Sequence, residues 1–433
     1  MNDTILAVNL FDHFHYYKPR TSTIKNRWRP SATKSMATLS PRFLFSKGVV
    51  SQPANTPPVT SFLETHPGAY TTSRTHKDAS FVLFWERHLK RLLDSVAILY
   101  NSNPRLLFGP NKTTSLSLPS LSSNSPLLQS EVRELVNRSM KRVLPIALKE
   151  RSEGEELSIT ALVSGNLEKL SENESEGLDH ERFGNGVFDV SIYIGTYVPT
   201  VFGIEGNGAH LAVVGRGRDD ASAKYSDWVR IRKSLERLRP PNGTELLLSN
   251  DGDQILEGTV SNFFVVCRKD NDEAKGQSMH CFEVQTAPII DHVLPGILRQ
   301  LVIEVCLSKG IPFREVAPSW SASEFWAEAF ITSKPLLISS YFKFGLRKHF
   351  PRFLEYFIIR FKEIYIAGSL RLLQHAETIS FPSSWESLNS KSWEEISWKD
   401  KHFEEGPGMV TTIIQKEVME KAASEGYFLT QFV

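Results

Sequence analysis

Two periodicities alternate along the chain. In ERHLKRLLDSVAIL, Leu89, Leu92, Leu93, Val96 and Ile98 recur at helical spacing and predict a helix. SEVRELVNRSMKRVLPIAL predicts a second, after a Ser/Asn/Pro-rich loop over residues 101–125. Ahead of the first helix, GAYTTSRTH and SFVLFW are β-rich runs about a turn at Lys77 and Asp78, which predicts a hairpin. ELSITALVS, DVSIYIGTYV and AHLAVVG read as further strands, with a polar excursion over 168–185. Residues 61–215 therefore read as an α/β unit of ordinary domain size.

GRGRDDASA, ending at residue 223, is polar and glycine-bearing and reads as a hinge over 216–223. A second unit over 224–433 opens with a helix, KYSDWVRIRKSLERL, and continues through strands ELLLSND and ILEG, a hairpin tip KDNDEAKGQS and the strand HCFEVQT. LPGILRQLVIEVCLSKG then predicts a helix closed by Gly310. One segment breaks the pattern. After FITSK, residues 334–368 crowd Phe, Tyr, Ile and Lys with neither helical nor alternating order, and Gly345 and Pro351 interrupt them. They read as an atypical insertion, translated from a non-coding stretch, rather than as a membrane-surface helix.

Residues 1–60 read as a disordered tail or targeting extension. From Tyr17 to Lys47 the chain has no acidic residue and many Arg, Lys, Ser and Thr, a transit-segment composition that leaves cytoplasm and plastid both open, and Met36 offers a second start. Lys+Arg number 50 against Asp+Glu 49, so a formal net charge of +1 gives no field drawing in nucleic acid or an anionic membrane. The expected partners are small molecules. No run has the ~20 apolar residues that span a bilayer. Cys267, Cys281 and Cys306 have no metal-ligand spacing and predict free thiols, and no metal site is expected.

The chemistry begins at Glu257, inside NDGDQILEGTVSNFFVV. An ionised Glu among Ile255, Leu256 and residues 263–266 either marks the wet end of a hairpin strand or is buried with a partner. EGTVSNFF, with Ser261 and Asn262, then VQT at Thr286 and LPGILR, resembles the class IV aminotransferases, the family that includes branched-chain and D-amino-acid aminotransferases and aminodeoxychorismate lyase. The plant-type branched-chain-like group is the nearest analogy. The likeness runs from about Gly68 onward and is motif-deep, and the gap from Phe264 to Thr286 is longer than the family pattern, which a lengthened hairpin tip accommodates.

The resemblance implies a two-domain α/β (α+β) fold, with a small α/β domain and a larger, β-rich pseudobarrel domain, and pyridoxal 5'-phosphate as cofactor. It implies that Lys224, 33 positions ahead of Glu257, is the Schiff-base lysine, with Lys233 the only nearby rival. Glu257 would hold the pyridine nitrogen protonated, as an ion pair whose partner the chain itself does not supply. Arg91, in HLKRL, would grip the phosphate with a planar fork, beside the backbone of Gly296, Ile297 and Leu298 at a helix start. Leu298 stands where the family commonly has a hydroxyl, which removes one side-chain donor. Ser333 or Ser369 would supply another, and the insertion falls between them. Tyr70, Thr72, Arg74 and Tyr197 are candidates for the substrate pocket. The implied activity is amino transfer between a branched-chain-like amino acid and a 2-oxo acid by a homodimer. The alternatives are a lyase on the same cofactor, releasing pyruvate, and an inactive protein whose phosphate site the 334–368 segment disrupts.

Overall fold

The structure is a computed structural model that describes residues 41–51, 53–109, 125–170, 186–199, 202–203, 206–269, 281–332, 372–386 and 388–432. Two sheets organise them. The first contains β1 (Arg42–Ser46), β2 (Val49–Ser51), β3 (Ala69–His76), β4 (Phe81–Val82), β5 (Glu156–Gly165) and β6 (Phe188–Tyr197), paired antiparallel in the order β4-β3-β5-β6-β1-β2. The expected tail over 1–60 is thus corrected at its end. Leu44 and Phe45 pair with Tyr193 and Ile192, so the sheet begins at Arg42 inside the transit-like stretch.

Around this sheet stand α1 (Val59–Thr65), α2 (Trp85–Ser102), α3 (Arg105–Phe108) and α4 (Pro126–Glu150). The apolar stripe expected on α2 is observed. Leu89, Leu92, Leu93 and Val96 are buried in one core with Val132, Val136 and Met140 of α4 and Ile159 and Ile194 of the sheet. Strand alternation separates the two faces. Ala69 belongs to that core, whereas Tyr70 packs on the other face with Phe62, Leu162, Tyr193 and Val229.

SFVLFW was expected as a full strand, but only Phe81–Val82 is one, because the chain takes a left-handed step at Phe84 (φ 48°) straight into α2. The turn before it holds Lys77, Asp78 and Ala79 at φ 52°, 57° and 56°. Non-glycine residues there carry strain. The buried Glu156 carboxylate offsets it by accepting the backbone N–H groups of Asp78 (2.9 Å) and Ala79 (3.1 Å).

The second sheet contains β7 (Ala209–Val214), β8 (Glu245–Ser249), β9 (Ile255–Gly258), β10 (Phe263–Arg268), β11 (Phe282–Thr286), β12 (Phe313–Glu315), β13 (Trp326–Thr332), β14 (Leu373–Pro382) and β15 (Trp398–His402). Its order is β12-β11-β10-β13-β14-β7-β8-β9, with β15 beside β14. AHLAVVG, expected in the first unit, is β7 of this sheet, where it runs parallel to both β8 and β14. The helices here are α5 (Asp227–Ile231), α6 (Ile297–Lys309) and α7 (Met409–Ser424). KYSDWVRIRKSLERL was expected as one helix. Only α5 is α-helical, and 3-10 turns over Arg232–Leu238 end where Pro240 and Pro241 exclude helix. β16 (Tyr427–Phe428) then returns to the first sheet against β4.

The insertion lies outside the described residues, but the strands on either side of it pair directly, Thr332 opposite Leu373 and Ile331 opposite Gln374. The sheet is therefore continuous across the interruption. Among the described residues no helix is long and apolar enough to cross a membrane, and Cys267 and Cys306 are buried free cysteines.

Candidate active site

The loop bearing Lys224, β9, α2 and the start of α6 deliver the main candidate residues. Lys224 lies in the loop between β7 and α5 and is fixed by main-chain bonds: its N–H donates to Ser95 Oγ on α2 (3.1 Å), and its carbonyl accepts Tyr70 N–H on β3 (2.9 Å). The next two residues continue the stitch, through a bridge between Tyr225 and Ala69 and a bond from Ser226 N–H to the Gly68 carbonyl. The amine is thereby brought to the Tyr70 face of the first sheet. Lys224 is 5 % exposed, and its Nζ sits 4.4 Å from the centroid of the Tyr70 ring. Lys233 is excluded by the same test, since it is exposed and paired with Glu64 (2.7 Å).

Tyr70 reports on the cations around it. Burial acts to raise its phenol, but Lys224, Arg232 and Arg218 together outweigh burial and bring it below the ordinary tyrosine value. Lys224, Tyr70, Thr72, Ser158, Thr160 and Arg232 line a cavity of about 50 Å³. That is room for a carboxylate-sized group rather than a whole amino acid. Arg74 and Tyr197 do not line it. They pair with each other (3.3 Å), and Arg74 reaches the cavity only through its cross-strand partner Ser158.

Glu257 is central on β9, opposite Leu248, and 1 % exposed. The wet-end reading is excluded. The expectation that the chain supplies no partner is also overturned: Oε1 accepts both Nε (2.9 Å) and Nη2 (2.6 Å) of Arg218, and Oε2 accepts Leu294 N–H (3.0 Å). A carboxylate has about four acceptor positions. The fourth is held only by Asn262 Nδ2 at 3.5 Å, at the outer limit of a hydrogen bond. One position of Glu257 is thus open to a stronger donor.

Asn262 connects this strand to the start of α6. Its Nδ2 donates to the Leu294 carbonyl (2.9 Å), and an added Cβ on Gly296 would strike its Oδ1. Its backbone is held to β13 by a pair of bonds with Thr332, each 2.9 Å. Ser261 is buried with no partner for its hydroxyl among the described residues. Gly296 caps α6, so the backbone at Ile297 and Leu298 begins a helix whose first N–H groups lack internal partners.

Arg91 projects from α2 and is 6 % exposed. Its Nη2 donates to Thr71 Oγ1 (2.8 Å), which also contacts His88 Nδ1, while Nε has no partner among the described residues. Burial lowers the guanidinium to about 10, so it stays charged at neutral pH. With Ser222, Pro295 and Gln300, Arg91 lines a cleft of about 850 Å³ between α2 and α6. A buried cation without a carboxylate is costly, and a phosphate would offset that cost.

The donor set fits pyridoxal phosphate. It offers a buried amine, a carboxylate with one weakly filled acceptor position, a guanidinium with a free buried N–H, and a helix start. Arg218 is the residue that sequence reasoning missed. It lies in the stretch taken for a solvated hinge, and nothing local marks it apart from Arg216, which is exposed and bonded to Asp219. Ser333 and Ser369 lie outside the described residues.

Residues 214–333 match the family model of amino-transferase class IV. That family contains pyridoxal-phosphate-dependent transaminases, the enzyme class and cofactor expected from the motifs. Solved structures similar to the chain include the branched-chain amino acid aminotransferase of Escherichia coli (15% identity, covering 89% of this chain and 96% of that one, TM-score 0.47). Another is a branched-chain amino acid aminotransferase from Thermobaculum terrenum, solved as a mutant (11% identity, 89% and 94%, TM-score 0.47). A hypothetical aminotransferase from Mycobacterium tuberculosis in its PLP-bound form is similar at 13% identity (88% and 99%, TM-score 0.47). No curated protein matches the chain.

Proposed function

We propose that this chain transfers an amino group between an amino acid and a 2-oxo acid, with pyridoxal phosphate held by Lys224, Glu257, Arg91 and the start of α6. The observation that carries this reading is a convergence. The Lys224 N–H is bonded to Ser95 on α2, the helix that carries Arg91, the Lys224 amine packs on Tyr70, and Arg218, six residues before Lys224, is bonded to Glu257. These links support assigning the amine, the acid and the arginine to one site.

Bound there, the cofactor supplies an electron sink for a carbanion at the substrate α-carbon. Arg91 binds the phosphate through its unpartnered Nε, and the N–H groups at the start of α6 add the positive end of a helix dipole. Glu257 accepts the hydrogen of the ring nitrogen and keeps it protonated. The Lys224 amine holds the cofactor, then acts as base and acid by moving a proton to and from the α-carbon. Tyr70, packed on that amine, restricts its direction. Thr72, Ser158, Thr160 and Arg232 offer hydroxyls and a cation to a substrate carboxylate.

A branched-chain-like donor, a homodimer and a plant-type, plastid-targeted subtype are part of the proposal and rest on the motif resemblance and the basic stretch over 17–47. The test is a half-reaction. Purified protein loaded with pyridoxal phosphate, given an amino acid alone, should convert its visible absorbance to that of the pyridoxamine form and release a stoichiometric 2-oxo acid. Release of pyruvate without that conversion would favour the lyase, and a colourless protein the inactive reading.

A further inference from the structure

Glu257 does not stand alone at the ring-nitrogen position, and its companion also reaches the segment that carries the lysine. Arg218 is buried, 7 % exposed, with both donors on the side facing Glu257 used on Oε1. Its guanidinium lies 5.5 Å from the centroid of the Trp228 ring. Trp228 is in turn fixed by its indole N–H on the Thr259 carbonyl (2.7 Å), two residues beyond Glu257. Arg218 precedes Lys224 by six residues and Trp228 follows it by four. The loop bearing Lys224 is thus anchored on one flank to β9 and on the other to Thr259, the residue just past its end.

We propose that Arg218 is a positioning residue that clamps Glu257 as a carboxylate and ties the Lys224 loop to β9. The proposal rests on the reading of this site as a pyridoxal-phosphate site. Without the guanidinium, a fully buried carboxylate keeps only the Leu294 N–H and the long Asn262 contact, and an uncompensated buried charge is relieved by taking up a proton. The other charged groups that share electrostatic neighbours with Arg218 are Arg91, Lys224, Arg232, Asp219, Asp220 and Asp227. The aspartates are anions and cannot stand in for the guanidinium, and the hydrogen-bond partners of Glu257 are Arg218, the Leu294 N–H and Asn262.

A protonated Glu257 would have to shed its proton when a protonated ring nitrogen arrives. In Arg218→Met, cofactor binding should release about one proton more than in the wild type, and affinity should fall about tenfold or more. Titration calorimetry of pyridoxal phosphate in buffers of different ionisation enthalpy reads both quantities, independently of turnover. Arg218→Lys keeps the cation without the fork, so its proton count should return to the wild-type value while affinity stays reduced. If the Met variant does not fold, the Lys variant carries the test, and unchanged affinity there overturns the clamp. A wild type that binds cofactor and a Met variant that matches it in affinity and proton count also overturn it. A wild type that binds no cofactor overturns the site reading, and the clamp with it.

Discussion

The Lys224 amine rests 4.4 Å from the centroid of the Tyr70 ring, and the two residues are joined again through the Tyr70 N–H and the Lys224 carbonyl. This double link makes Tyr70 a reporter for the amine. Burial alone would raise its phenol, yet the net effect of Lys224, Arg232 and Arg218 is to lower it. Replacing Lys224 by Met should therefore move the Tyr70 ionisation to higher pH, seen as the phenolate absorbance component that Tyr70→Phe removes. The sign for stability follows. A depressed phenol stabilises the fold at pH above its unfolded value, and that contribution is lost as pH falls through the lowered folded value. If Tyr70→Phe and wild type lose alkaline stability identically, the pairing has no energetic weight.

Arg91 should show function and stability in opposition. Its folded value is lowered by burial, so at neutral pH the charge costs folding free energy. Arg91→Met is expected to raise the stability of the cofactor-free protein by about 1–3 kcal/mol. It should also abolish the rise in Tm expected when pyridoxal phosphate binds the wild type. Thermal denaturation with and without cofactor measures both. A variant that is less stable and still gains from cofactor would contradict the assignment.

Glu245 presents a simpler case on the neighbouring strand. It is 1 % exposed; Oε1 accepts Thr259 Oγ1 (2.6 Å) and Leu246 N–H (2.9 Å), and Oε2 has no partner among the described residues. Burial raises the carboxyl, opposed by Arg239. A raised folded value favours the protonated form, so the stabilisation is complete below the unfolded value and is lost as pH rises through the folded one. Glu245→Gln keeps the accepting oxygen and removes the charge. It should be more stable than wild type at pH 7 by about 1–2 kcal/mol, with the difference vanishing below about pH 4. Denaturant unfolding at the two pH values decides it.

Gly296 is required by space rather than by φ, which is −66°. Any Cβ there meets Asn262 Oδ1. Gly296→Ala should displace either the start of α6 or Asn262, costing about 1–3 kcal/mol and weakening cofactor binding. Gly310→Ala, with open space around it but a φ of 64°, should cost stability through backbone strain and leave cofactor affinity unchanged. Equal affinity in the two variants would show that the α6 start is not part of the phosphate site.

The sequence made the motif-bearing residues legible and their neighbours not. Glu257, Asn262 and Gly296 are recognisable because together they carry the family resemblance, and α2 because its apolar stripe is regular. Lys224 required the resemblance, which implies a lysine at that distance before Glu257, since a lysine at a helix start is otherwise unremarked. Arg218 was not legible. Its burial depends on Trp228 and Glu257, contacts that form only when the loop folds back onto β9, and its neighbours Arg216, Asp219 and Asp220 give the stretch a solvated composition. β7 was assigned to the wrong sheet for a related reason: a parallel strand's partners, β8 and β14, lie far along the chain. The truncated β4 and the broken helix after Lys224 reflect a left-handed step at Phe84 and the prolines at 240 and 241, local events that periodicity alone does not register.

The identity of the lysine that carries the cofactor tests the account most directly. Protein loaded with pyridoxal phosphate, reduced with borohydride, digested and analysed by mass spectrometry should bear the pyridoxyl label on the peptide containing Lys224, at one label per chain, and Lys224→Ala should bear none. A label on Lys233, a label scattered over surface lysines, or undiminished labelling of Lys224→Ala would contradict it.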